Sequence, residues 1–167
     1  KAEMKGFNIE NNISEKAKKF KNYADLVVCF EVTEHVHDTL KFMRSLTSFC
    51  KPGGKVLITS LTCDGFDIKT LWKQSKSVYP PHHINLLSKE GYKALFNNSG
   101  LENVKIITPG KLDIDIVRNF TRENNLKIKI PDFLHSVIED ENLSKSFQEF
   151  LENNKLSSHI WVFGTRK

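Results

Sequence analysis

The stretch from Ala24 to Leu61 constrains the fold of this chain more than any other. "ADLVVCFEV" (24–32) is a continuous apolar run with the length of one strand, a pattern that suits a strand covered on both faces of a parallel sheet. "DTLKFMRSLTSFC" (38–50) follows, with Leu40, Phe42, Met43, Leu46, Phe49 and Cys50 mostly at spacings of three and four. That periodicity predicts a helix with one apolar face and Asp38 as its N-cap. "KPGG" (51–54) should stop the helix and turn the chain, and "KVLITSL" (55–61) is a second apolar, β-branched strand. Strand, helix, tight turn and strand make one βαβ unit, for which a right-handed crossover is expected.

Around this unit the pattern continues in the same style. "GFNIEN" (6–11) reads as a short strand, and the polar stretch 12–23 as a loop with a helical turn. Residues 62–88 lack clean periodicity and carry Pro80–Pro81, the pair His82 and His83, and the aromatics Phe66, Trp72 and Tyr79. A long excursion after a parallel strand is a common place for function. Residues 88–100 predict a helix capped by Ser88 and stopped by Gly100, and 101–109 a strand. The segments 111–124 and 131–154 read as amphipathic helices, and 158–167 closes as a strand. The last two strands are separated by helices rather than by one crossover, so an antiparallel pair at a sheet edge is expected. The fold class is therefore α/β: a mostly parallel sheet with an antiparallel last strand and a helical insert before it.

The chain has 167 residues, 39% of them hydrophobic, which suits one domain with a real core. The expected layout puts the sheet core in 1–110 and 158–167 and the helical insert in 111–157. The net charge of +5 comes from scattered Lys and Arg with no run of five, so the basic balance reads as a solvated surface and not as a nucleic-acid face. No apolar stretch approaches the ~20 residues of a membrane helix, and no signal-peptide core opens the sequence. Cys29, Cys50 and Cys63 are far apart and odd in number, which fits reduced thiols in a cytoplasmic setting. The sequence opens without an initiator Met and reads as part of a longer chain.

The end of the 24–32 strand is where chemistry concentrates. Its apolar run stops at Glu31, Glu34 and His35, and open α/β sheets bind ligands at the carboxyl ends of their strands. His35 has the pKa range of a general base, but an imidazole that merely orders a helix start is an equal alternative. Glu34 and His37 stand at E-x-x-H spacing, but no H-x-x-x-H occurs and neighbouring residues at a helix start point different ways, so no metal is assigned. His82 and His83 follow two prolines whose fixed φ stiffens the loop. They are candidates either for contact with a substrate or for tying the loop down. Phe66, Trp72 and Tyr79 could wall a pocket or cap the core.

These motifs have a familiar order. "ADLVVCFEVTEHVHDTLKFMRSLTSFCKPGGKVLITS" resembles the fourth through fifth strands of class I methyltransferases that use S-adenosylmethionine. "PPHHINLLSKEGYKALFNNSGLENVKI" resembles the following segment in a subgroup that acts on small molecules. The resemblance covers roughly residues 6–110 and the last strand, and the 111–157 helices match nothing in it. It implies S-adenosylmethionine as cofactor, with Asn11 or Asn12 on the adenine and Phe30, Glu31 and Val32 beside the methionine part. It implies His35, His82 and His83 as catalytic candidates, and a small-molecule acceptor in place of nucleic acid or membrane. The departure is the anchor. The family's Gly-rich turn, G-x-G-x-G, is absent from this sequence, as is the acidic residue that closes the family's second strand. The first two strands would then precede residue 1. The expectation is a C-terminal, substrate-side part, inactive alone, whose open sheet edge invites a homodimer. A non-catalytic scaffold or a degenerate relative is the alternative.

Overall fold

The computed structural model describes residues 19–123 and 130–167. The expected strand at 6–11 lies outside the described residues, and so do Asn11 and Asn12. Among the described residues one sheet forms from β1 (Ala24–Phe30), β2 (Cys50–Leu61), β3 (Leu101–Ile107) and β4 (His159–Arg166), in the order β1-β2-β4-β3. β1 and β2 are parallel, and β4 runs antiparallel to both β2 and β3. β1, β2 and β3 thus share one direction and the last strand opposes them. The reversed strand sits between β2 and β3, and β3 takes the edge.

Helix α1 (Thr39–Phe49) forms where its periodicity predicts. The Asp38 side chain accepts from the Lys41 N–H at 2.9 Å, and Met43, Leu46 and Thr47 make its buried face. The Lys-Pro-Gly-Gly segment behaves differently from expectation, because β2 already begins at Cys50. Pairing steps from Ala24 opposite Cys50 to Leu26 opposite Lys55, so 51–54 bulge out of the strand pair. Gly53, at φ +76°, supplies the left-handed residue that this bulge needs.

One face of the sheet is packed. Met43 and Leu46 from α1 and Tyr92, Leu95 and Phe96 from α3 (Lys89–Asn98) meet Val56, Ile58, Ile160 and Val162 of the sheet. Each such side chain contributes about 1.5–3 kcal/mol when fully buried. β1 corrects the expectation of cover on both faces. Val27 and Cys29 pack onto this core, but Leu26, Val28 and Phe30 on the opposite face are 58%, 45% and 57% exposed. Among the described residues α1 covers one side of β1 and nothing covers the other.

A second apolar cluster is built by helices alone. It joins α2 (Phe66–Leu71), α4 (Asp113–Glu123), α5 (Asp132–Glu139) and α6 (Glu141–Asn153) around Leu71, Ile114, Val117, Ile138 and Leu151. The irregular excursion expected at 62–88 therefore holds a short helix. Gly65, just before α2, lets the backbone approach the start of β4, since a Cβ there would lie 2.2 Å from Ser158 Cα. The helical run 131–154 is two helices. Asp140 ends α5 and caps α6, its side chain accepting from the Asn142 and Leu143 N–H groups at 2.9 Å.

Candidate functional site

β1 ends on a strained residue. Glu31 has φ +51°, a conformation that a non-glycine residue adopts at a cost of about 1 kcal/mol or more. Its N–H donates to the Thr59 carbonyl at 3.0 Å, which fixes the turn against the end of β2. Its Oε1 accepts from Thr59 Oγ1 at 2.5 Å and faces His159 Nε2 at 3.0 Å. The hydrogen bond from His159 holds the Glu31 carboxyl below the usual carboxylate range, with Thr59 adding to it against the opposing effect of burial. In return Glu31 pushes the His159 imidazole up. Sequence reasoning missed His159. Its signal was an antiparallel closing strand beginning with His, which the register puts opposite Leu61 at the end of β2.

Glu34 is 1% exposed. Its Oε2 accepts from Ser60 Oγ at 2.8 Å, and Ser60 is met in turn by Tyr92 Oη at 2.8 Å. The same phenol also lies 2.9 Å from the Leu61 carbonyl, and burial pushes it up to about 12. A carboxylate at the rim is thus wired into the core. Cys29 beside it is no nucleophile. Burial first, then the charges of Glu34 and Glu31, push its thiol up to about 11, so it stays protonated near neutral pH.

The loop after α2 is clasped onto this turn. The Glu34 carbonyl accepts from the Ile84 and Asn85 N–H groups at 2.9 and 3.1 Å, and Asn85 Nδ2 donates to the Val36 carbonyl at 2.5 Å. His35 Nδ1 donates to the His82 carbonyl at 2.6 Å, and His83 Nδ1 to the Ser77 carbonyl at 2.9 Å. The His35 and His83 rings lie 4.8 Å apart. Ligand atoms of Glu34, His35 and His83 all fall within 4.8 Å of one another. The fold therefore brings together residues 48 positions apart that no local spacing could link.

Other expected site residues are placed differently. The His82 ring stacks on exposed Tyr79, with ring centroids 5.7 Å apart, so His82 reaches His35 through its carbonyl. His37 is exposed and outside the Glu34 group. Phe30 is exposed on the open face of β1, and Val32 is half-buried. Phe66 lies edge-on to Phe147 at 5.3 Å within the helical cluster and so caps a core, while Trp72 stays exposed. Next to His159 a cleft of about 400 Å³ opens between Leu61, Pro109, Leu112, Asp113 and Ile116.

The pattern has relatives. A family model described as a methyltransferase domain matches residues 2–106, well over half of the chain. The ubiquinone biosynthesis O-methyltransferase of Escherichia coli O127:H6 is 33% identical over 57 residues, which are 34% of this chain and 24% of that protein. The protein of the same description from Citrobacter koseri matches equally. The matched segment thus spans about a quarter of the length of these curated relatives. Among solved structures, an Archaeoglobus fulgidus S-adenosylmethionine-dependent methyltransferase aligns with TM-score 0.55 at 15% identity, covering 95% of this chain and 66% of that one. A Thermotoga maritima S-adenosylmethionine-dependent methyltransferase, described as a possible histamine N-methyltransferase, aligns with TM-score 0.54 at 14% identity over 88% of this chain and 57% of its own. At these identities the likeness is one of fold.

Proposed function

Because this chain belongs to the methyltransferase-domain family, we propose that it forms the substrate side of a site where a methyl group passes from S-adenosylmethionine to a small-molecule acceptor. The observation that carries this reading is the rim itself: Glu31, Glu34 and His35 stand at the carboxyl end of a parallel strand, gripped by β2, β4 and the histidine loop. Ligands of open α/β sheets occupy that end. Glu31 is held ionised, suited to the ammonium of the donor's methionine part or to face its sulfonium, with Phe30 and Val32 as neighbours. Asn11 or Asn12 would hold the adenine amino group. The cleft beside His159 offers room for the acceptor.

Much of the catalysis in such a transfer is alignment, and a base is needed only when the acceptor must lose a proton. His35 suits that role. Its Nδ1 proton is committed to the His82 carbonyl, so the lone pair of the neutral ring is at Nε2. His83 stands beside it, and His82 sets the ring's orientation. The Gly-rich anchor of the family is absent from this sequence, so this chain alone should hold the donor weakly and turn over little or nothing. The three free cysteines support a reducing, cytoplasmic setting. Among the described residues β1 is an edge strand of the sheet, which supports pairing with a second copy along that edge. It also favours a second reading, in which the domain is a scaffold that binds partners without catalysis.

Titration of the isotope-labelled chain with S-adenosylhomocysteine, followed by NMR, separates these readings. Millimolar binding should perturb the amides of Phe30–His35 and Thr59–Thr62. Shifts confined elsewhere, or none, would favour the scaffold. Micromolar or tighter binding would instead contradict the missing anchor.

A further inference from the structure

We propose that Glu34, His35 and His83 form a binding site for a divalent first-row transition cation, of the zinc or manganese class. The ground is the direction of the lone pairs. Nδ1 of each ring meets a backbone carbonyl, His82 for His35 at 2.6 Å and Ser77 for His83 at 2.9 Å. A carbonyl only accepts, so both Nδ1 atoms carry the proton and each neutral ring has its lone pair at Nε2. A carbonyl on the far nitrogen is the support that orients and strengthens a metal-bound imidazole. The third group, Glu34, is almost fully buried, held through Oε2 by Ser60 and adjoined by the Glu31 carboxyl. A ring nitrogen of each histidine and a carboxylate oxygen of Glu34 lie within 4.8 Å of one another, near enough for a cation to draw them together.

The donor set selects the ion. Two imidazoles and one carboxylate suit zinc, manganese or ferrous iron, whereas calcium and magnesium prefer oxygen alone. One carboxylate with two neutral rings leaves a bound divalent ion with a net charge of +1. His35 is exposed, so coordination positions stay open on the solvent side for an oxygen ligand. On the methyl-transfer reading, and only on it, that oxygen is the acceptor hydroxyl. The cation would then lower the hydroxyl's pKa in place of a base at His35. The cation site itself does not depend on that reading.

Calorimetric titration of the chain with zinc chloride, and separately with manganese chloride, tests the site without any turnover. One zinc per chain is expected, bound more tightly than manganese. Glu34→Gln, His35→Ala and His83→Ala should each weaken zinc at least ~10-fold, and His135→Ala on exposed α5 should not. Manganese broadening of the wild-type NMR spectrum locates the ion even if a variant fails to fold, and the His35 and His83 ring signals should be lost first. The proposal is overturned by a lack of saturable zinc binding. It is equally overturned by unchanged affinity in a folded His35→Ala/His83→Ala chain, or by broadening centred elsewhere.

Discussion

Glu34 and Asp113 are both buried carboxylates, and their surroundings are opposites. Asp113, 2% exposed at the start of α4, is saturated. Its Oδ2 accepts from Gln148 Nε2 at 2.9 Å and Ser157 Oγ at 2.5 Å, and its Oδ1 from the Ser158 N–H at 2.7 Å. Gln148 completes the knot by donating to the Gly110 carbonyl and accepting from the Ile114 N–H. Among the described residues Ser60 donates to the Glu34 carboxylate, and the Glu31 carboxyl and the His35 and His83 rings stand near it. A carboxylate whose two oxygens are both answered from within the chain holds structure together. One surrounded by other acceptors is arranged for something from outside.

The largest effect that tests this contrast is on stability. Asp113→Ala would strand three buried donors at the joint between the helical cluster and β4. It should lower unfolding free energy in urea by about 3–5 kcal/mol. Glu34→Gln keeps an oxygen for Ser60 and should cost about 1 kcal/mol or less. Equal losses would erase the distinction between the two sites.

Next in size is a pH effect from the carboxyl beside Asp113. Asp67 is fully buried, and neither of its oxygens has a hydrogen bond of ordinary geometry. Burial first, then the Asp113 charge, pushes its pKa up to about 6 from 3.8, although Ser158 opposes the shift. Its folded-state value lies above the unfolded one, so the folded chain keeps a proton that the unfolded chain releases. The contribution of Asp67 to stability is therefore full below about pH 4, declines as pH rises toward 6 and stays reduced above. Asp67→Asn removes the titration. It should gain about 1–3 kcal/mol at pH 8 relative to its effect at pH 4, read from urea midpoints at the two pH values. A gain independent of pH would mean that Asp67 does not carry this titration.

The same contrast explains what could be read from the sequence. The βαβ unit at 24–61 was legible because its apolar periodicity is local and each strand end is punctuated. The six residues of α2 were not, since a single turn and a half shows no period, and its place is set by Gly65 against Ser158. Asp140 was hidden because one more acid on an amphipathic run looks like its polar face, whereas its side chain caps α6. At the rim, Glu31 and His35 announced themselves by ending an apolar strand. His83 was visible as a candidate but its partners were not, because proximity across 48 residues is made by the Glu34 carbonyl and the loop amides. His159 lies still further along the chain and was missed altogether.

The smallest expected effect concerns that histidine. His159→Gln keeps a hydrogen-bond donor opposite Glu31 but removes the charge. The Glu31 carboxyl should then titrate at higher pH, closer to its ordinary 4.5, as followed by its side-chain carbon shift. Stability should change by less than about 1 kcal/mol, because both groups are more than a third exposed and water screens the pair. The sign depends on pH. The raised His159 contributes fully below its unfolded value of 6.5 and less as pH rises through its folded one. The depressed Glu31 contributes above its unfolded 4.5 and less as pH falls through its folded value. Wild type should therefore exceed His159→Gln most between about pH 4.5 and 6.5, with the gap closing on either side. A gap that persists unchanged at pH 8 would make the contact an ordinary neutral hydrogen bond. Glu31 would then owe its low pKa to Thr59, and the rim would hold its charge without help from the closing strand.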